Sequence, residues 1–217
     1  MWIIPGMSYR DLCEALLKGD PYTGPPLRAL QGDPQRQRYF RPVVNATRQF
    51  LPSPLDILEI GSWAGVSTIS WGVALTSSQV DGTITYVDPW LPYFDTAVNS
   101  TDVYREMNEA AERNLIYKLF EHNITSAGLH NVVHVKNGTS REVLPDLPAA
   151  TWAIVYIDGS HMFEDVMFDL CQNPRSARSL LNYSSMLKRS TKSRANECCG
   201  SIRTAQKFFK GEFGALL

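Results

Sequence analysis

Ile57-Leu-Glu-Ile-Gly-Ser-Trp-Ala-Gly-Val-Ser-Thr68 is the stretch on which the fold turns. Leu55 to Ile60 is a short apolar run of the kind that forms a strand buried on both faces of a parallel sheet. It leads directly into small residues and then into a helical segment beginning near Gly65. Gly61 and Gly65 let the backbone turn tightly and approach a ligand where a Cβ would collide, and the amides at the helix start offer donors to a carboxylate or phosphate. Ligands of open α/β sheets collect at the carboxyl ends of the strands, where this turn lies.

Working outward, Thr83–Val87, Val132–Val135 and Trp152–Ile157 repeat the strand-like pattern. Candidate helices at 65–77, 102–127 and 140–147 separate the four runs, giving crossovers long enough for parallel pairing. The expected fold is therefore α/β, a Rossmann-like doubly wound, mostly parallel sheet. Residues 1–50 read as an N-terminal helical extension or lid, with helical patches at Tyr9–Leu17 and Arg36–Phe50 around a Pro- and Gly-rich stretch. Residues 51–217 form the domain, of which 170–217 is atypical or truncated. Cys171 to Asn196 is rich in Ser, Arg, Lys and Asn and shows no clear fifth strand, while Ser201–Phe209 reads as a short amphipathic helix.

A second carboxylate falls in register with the first turn. Asp88 ends the second run in Thr85-Tyr-Val-Asp-Pro-Trp90, where it can accept hydrogen bonds from both ribose hydroxyls of an adenosyl ligand. The glycines of the first turn stand four apart with Trp63 between them, which is not the dinucleotide GxGxxG spacing and disfavours NAD. Standing alone, Asp88 would more often be a turn or cap residue than a ligand. The pairing with Glu59 and the glycines favours the ligand reading.

Composition narrows the partners. Among 217 residues, 21 basic and 22 acidic side chains give a net charge of -1, so no broad positive field exists to hold nucleic acid or an anionic membrane. The basic run Lys188–Arg194 is short and flanked by Ser and Thr, as in a solvated segment. Four cysteines without CxxC spacing suit a reducing cytoplasm, and the start lacks the basic and apolar regions of a signal peptide. A small-molecule acceptor is expected, with no nucleic acid and no membrane, and self-association into a homo-oligomer is left open. His122, His130 and His134 are dispersed and read as structural or surface residues.

The ordered succession EIGSWAGVST, YVDPW, VKNGTSREVLPDL and YIDGSHMFEDVMFDL resembles the class I S-adenosylmethionine-dependent methyltransferases over about residues 55–170. The DPW and DGSH elements resemble the subgroup containing cephalosporin-hydroxylase-like proteins and the macrolide-sugar O-methyltransferases. The resemblance implies S-adenosyl-L-methionine as cofactor. It assigns Glu59, Gly61, Ser62 and Gly65 to the first cofactor motif, Asp88 to the ribose, Trp90 to the flank of the adenosine, and Ser140 to the adenine, in Gly138-Thr-Ser140 where relatives often have Gly-Asp-Ser. It also implies a role for Asp158 as ligand of a divalent metal such as Mg²⁺ and for His161 as general base, both in Asp158-Gly-Ser-His161. The competing structural roles are a helix cap for Asp158 and a polar helix-start residue for His161.

One departure bears on mechanism. Relatives follow with a Pro-Gly-Gly turn, a fifth strand and an acidic pair that completes the metal site, whereas this chain has Leu187-Lys-Arg-Ser-Thr-Lys and then Asn196-Glu-Cys-Cys-Gly200. The expected function is S-adenosylmethionine-dependent methyl transfer to a hydroxyl of a small molecule. The alternative is a degenerate, non-catalytic adenosyl-cofactor-binding protein.

Overall fold

The computed structural model describes residues 8–18, 37–97, 102–148, 152–160, 162–172 and 180–182. His161, the segment 183–217 with its expected helix, and Glu197 lie outside the described residues. The elements are α1 (Tyr9–Leu17), α2 (Gln37–Thr47), β1 (Ile57–Ile60), α3 (Val66–Ser77), β2 (Ile84–Asp88), α4 (Asp102–Glu112), α5 (Leu115–Ser126), β3 (Val133–Asn137), α6 (Ser140–Val143), β4 (Ile154–Ile157), α7 (Phe163–Gln172) and β5 (Leu180–Asn182). A 3₁₀ turn, Leu144–Asp146, follows α6.

The sheet has strand order β3-β2-β1-β4-β5 and every pair is parallel. The order reverses between β1 and β4, so a crevice opens at their carboxyl ends. Strands β1, β2 and β4 are buried at every position, which is why their sequences are near-continuous apolar runs. Alternation sends Ile57, Ile84, Tyr86, Ile154 and Tyr156 to one face, in a cluster that also holds buried residues of α1 to α5. Leu58, Ile60, Val87, Val155 and Ile157 face the other side, with Leu144, Val166 and Leu170. Helices therefore cover both faces, as the doubly wound reading expects.

The sequence reading sets residues 1–50 apart, yet the described parts of that stretch belong to the domain's own core. Cys13 and Leu16 of α1 and Phe40 and Val44 of α2 are buried in the same cluster as β1 and α3. Phe40 lies against Trp71 at 4.2 Å between ring centroids and edge-on to Tyr156 at 5.4 Å.

Two expectations are corrected. A fifth strand does exist: Leu180–Asn182 pairs with Val155–Ile157. Three residues at a sheet edge carry too little periodicity to read, and it is the ladder of β4 that makes them a strand. The helix expected over 102–127 is two helices, because Asn114 adopts φ 57° between α4 and α5. Asparagine is among the few residues that visit this left-handed conformation without a large penalty.

Candidate cofactor and catalytic site

The turn after β1 is built by backbone geometry. Gly61 has φ +82°, and a Cβ there would stand 2.4 Å from the Gly159 Cα and 2.6 Å from the Asp158 carbonyl oxygen. The loops after β1 and β4 thus touch at the point where the strand order reverses, and the requirement for glycine comes from this contact within the protein. Gly65 starts α3 at φ +88°, and its missing Cβ makes room for the Phe120 ring. Trp63, between them, is held at φ 49°, uncommon for a bulky residue.

Asp88 is the hub that holds this turn. The Ser62 and Trp63 amides each donate to its Oδ2 at 2.9 Å, and the Trp90 amide donates to its Oδ1 at 2.7 Å. Burial pushes its carboxyl above the usual range, and the three amide donors pull it back. Gly61 N–H donates to the Val87 carbonyl and Gly65 N–H to that of Ser62. The amides of residues 61, 62, 63 and 65 therefore all donate within the protein, which corrects the expectation of free donors at this turn. What remains at Asp88 is lone-pair capacity on Oδ1, which accepts one of these bonds where Oδ2 accepts two.

Glu59 lies fully buried beneath the turn. Thr68 Oγ1 donates to its Oε2 at 2.6 Å, tying β1 to the first turn of α3. Its Oε1 has no partner among the described residues, nor has the buried Ser62 hydroxyl. Burial raises the Glu59 carboxyl to about 8, partly offset by the Ser67 and Thr68 side chains, while Asp158 and Asp88 add to the rise. Two unsatisfied buried polar atoms within the first turn cost about 1–3 kcal/mol each, the kind of cost that persists where a site has a further partner to meet.

Trp90 is a core residue before it is anything else. It is 3% exposed, its ring lies among Tyr117, Phe120 and Tyr86, and its Nε1 donates to the Trp63 carbonyl at 2.9 Å. A cleft of about 940 Å³ opens beside it, walled by Trp90, Leu91, Glu112, Lys136, Gly138 and Glu142 among others. Of the residues assigned to the cofactor from sequence, Trp90 alone lines this cleft. The acids Glu59, Asp88 and Asp158 are not on its wall.

At the end of β4, Tyr156 donates its hydroxyl to Asp158 Oδ2 at 3.2 Å. The Tyr93 phenol is pushed above its ordinary range, first by desolvation and then by the Asp88 and Asp158 carboxylates, so the loop after β2 reaches over both strand ends. Tyr93 and Phe94 meet Trp63 edge-on at 5.8 and 6.3 Å. Among the described residues, no group of three or more His, Cys, Asp or Glu is placed to hold a metal ion. The turn after β3 differs from expectation, since the Ser140 hydroxyl bonds Asp169 of α7 and points away from the β1–β4 crevice.

Two residues that sequence reasoning passed over hold the site together. Asn123 of α5 is fully buried and donates from Nδ2 to the Ala64 carbonyl at 2.7 Å, fixing the turn from the helix side. Asp169 is 1% exposed between α6 and α7. Both were legible as polar residues within an apolar helical stripe, Asn123 beside Ile116, Leu119, Phe120 and Ile124, and Asp169 beside Val166 and Leu170.

Residues 58–178 match the family described as a methyltransferase domain. No curated protein sequence matches the chain. Among solved structures, it is similar to a protein assigned as an O-methyltransferase from Klebsiella pneumoniae, at 17% identity over 97% of this chain and 81% of that one, TM-score 0.54. Cofactor-bound Rv0187 from MTB aligns at 18% identity over 92% and 76% of the two chains, TM-score 0.52. The O-methyltransferase NovP aligns at 18% identity over 82% and 72%, TM-score 0.53. At these identities the likeness establishes the fold.

Proposed function

The chain belongs to the methyltransferase-domain family, and we propose that it methylates a hydroxyl of a small-molecule acceptor, using S-adenosyl-L-methionine bound across the carboxyl ends of β1, β2 and β4. The observation that carries this reading is the meeting of three elements at the switch point: the Gly61–Gly65 turn, the Asp88 carboxylate that organises it, and the Asp158–Gly159 loop in contact with Gly61. The bound cofactor supplies an electrophilic sulfonium methyl.

The chain's own residues bind and orient. Asp88 Oδ1 accepts from a ribose hydroxyl, Ser62 Oγ offers a buried polar partner, and Gly61 and Gly65 keep Cβ atoms out of the turn. Glu59 acts from beneath, through Thr68 and the start of α3, because it is fully buried. Trp90 and Gly138 shape the adenosine side, where they meet in the wall of the 940 Å³ cleft. Asp158, oriented by the Tyr156 hydroxyl, and His161, three residues on, accept the proton of the acceptor hydroxyl, with His161 as base. If Mg²⁺ assists, Asp158 is its ligand from the described residues and further ligands lie outside them.

The near-balanced charge favours a small molecule over nucleic acid. No helix of the described residues is long and apolar enough to cross a membrane. We place the protein in the cytoplasm, in keeping with few cysteines and a buried Cys13 thiol that burial pushes up to about 12; self-association is tested by sedimentation.

Calorimetry with S-adenosylmethionine, S-adenosylhomocysteine and NAD tests the cofactor, and binding of neither adenosyl ligand would refute the reading. Single-turnover methylation of a hydroxylated acceptor, with and without chelator, tests the chemistry. His161→Ala should keep cofactor affinity and lose about 10²- to 10⁴-fold in rate, the usual worth of a general base. Wild-type rates in that variant would remove His161 from the mechanism.

A further inference from the structure

The search for unexplained groups leads to a carboxylate no step above uses. Asp169 sits on α7, 1% exposed, on the face of the sheet opposite the α3 side, in a stripe that is otherwise apolar. A buried acid in such a stripe costs stability unless it has a task. Its partner comes from across the layer: the Ser140 hydroxyl, at the first position of α6, bonds it. Ser140 closes the turn Gly138–Ser140, whose other end is fixed where the Gly138 amide donates to the Asp88 carbonyl at 3.3 Å. The turn therefore hangs between the strand that carries Asp88 and the helix that carries Asp169.

The neighbours of Asp169 secure the same contact. Arg141 reaches from α6 to Asp165 of α7 at 3.1 Å and lies over the Phe168 ring at 4.7 Å. Thr139 and Glu142 close a capping box on the turn. These ties stand at the surface, while the Ser140–Asp169 contact is inside.

We propose that Asp169 is a positioning residue for the cofactor: from within the α6–α7 interface it holds Ser140 and so sets the backbone of Gly138–Ser140, beside the cleft that takes the adenosine. This rests on the cofactor reading above. Asp169 does not touch the ligand; it acts by accepting the Ser140 hydrogen bond as an ionised group, which strengthens that bond relative to a neutral acceptor. Burial raises its carboxyl to about 6, and the charges that face it are Asp165, which adds to the rise, and Arg141, which with Ser140 opposes it.

The sign of the linkage separates positioning from mere structure. A carboxyl whose folded pKa is raised from 3.8 to about 6 binds its proton more tightly in the folded state, so its contribution to stability is full below 3.8 and is lost as pH rises through 6. At pH 7.5 the ionised group therefore works against the fold while serving the turn. Asp169→Asn, which keeps the shape and resembles the protonated form, should raise or preserve the melting temperature at pH 7.5 and weaken S-adenosylhomocysteine binding about three- to tenfold. A residue needed only for packing would lose both together.

The experiment is calorimetric titration of the full-length protein with S-adenosylhomocysteine between pH 5 and 8, with thermal melts, for wild type, Asp169→Asn, Ser140→Ala and the double variant. The proposal expects wild-type affinity to fall as pH drops through about 6, a flat profile in Asp169→Asn across that interval, and a double variant no weaker than the weaker single. Wild-type affinity with the same pH profile in Asp169→Asn overturns it while leaving the cofactor reading intact. So does a pair of single effects that simply add. Failure of wild type to bind at any pH overturns the cofactor reading, and this inference with it.

Discussion

The turn after β1 and the turn after β3 begin alike, a strand running into glycine and then a helix, but they are held by different means. In the first, the amides of residues 61, 62, 63 and 65 all donate within the protein and Gly61 lies against the backbone of Gly159. In the second, Gly138 at φ +147° has side chains of Val143 and Glu142 for neighbours, and the turn is tied by a capping box, by Ser140 on Asp169 and by Arg141 on Asp165. β3 itself is an edge strand exposed along most of its length, whereas β1 is buried at every position. A turn locked by backbone contacts tolerates little change. One locked by side chains can be adjusted, and it responds to pH.

The sharpest way to break this contrast is to put a side chain on each glycine. Gly61→Val should cost about 4 kcal/mol or more, since overlap with backbone atoms at 2.4–2.6 Å adds to a strained φ. Gly138→Ala should cost about 1–2 kcal/mol, because its neighbours are side-chain ends that can shift. Urea denaturation of both variants measures the difference. Equal costs would mean that the two turns are held alike.

The next effect lies in pH. The Glu59 carboxyl is raised from 4.5 to about 8, so the folded state retains its proton over that interval. Stability should be greatest below pH 4.5 as far as Glu59 is concerned, and decline as pH rises through 8, by about 2–4 kcal/mol. Glu59→Gln should remove most of that decline, read as the difference in urea midpoints between pH 5 and pH 9 in the two proteins. An unchanged slope would show that the buried acid is ionised throughout.

Asp88→Ala tests whether the first turn and the ligand share one group. Three amide donors lose their acceptor, so both stability and S-adenosylhomocysteine affinity should fall, each by about 1–3 kcal/mol. Intact stability with lost affinity would make Asp88 a ligand group alone. Asn123→Ala should cost about 1–2 kcal/mol by releasing the Ala64 carbonyl, seen as a lower urea midpoint. At the small end, Arg141→Ala removes a pair whose side chains are 51% and 36% exposed and should cost under about 1 kcal/mol. A larger loss in a thermal melt would show that the second turn depends on its surface ties.

Much of this architecture was open to a reading of residues. Continuous apolar runs at Leu55–Ile60, Thr83–Val87 and Trp152–Ile157 imply strands buried on both faces, and their separation implies parallel crossovers. The parallel sheet follows from those two facts alone. The conjunction of Glu59, Gly61, Gly65 and Asp88 at two strand ends likewise marks a ligand-binding face. Less visible were β5, which exists because β4 offers it a ladder, and the break at Asn114, a matter of one backbone angle.

What tertiary structure alone decided is which partner each polar group meets. Sequence places Gly61 and Ser140 at the ligand; folding places the missing Cβ of Gly61 against Gly159 and the hydroxyl of Ser140 against Asp169, a helix away. It also turns Trp90 into a core ring and makes Asn123 a clasp on Ala64. The reason is physical. Hydrophobic period and turn chemistry are local and repeat along the chain, whereas a hydrogen bond depends on distance and direction between atoms tens of residues apart, and these exist only once the layers have packed.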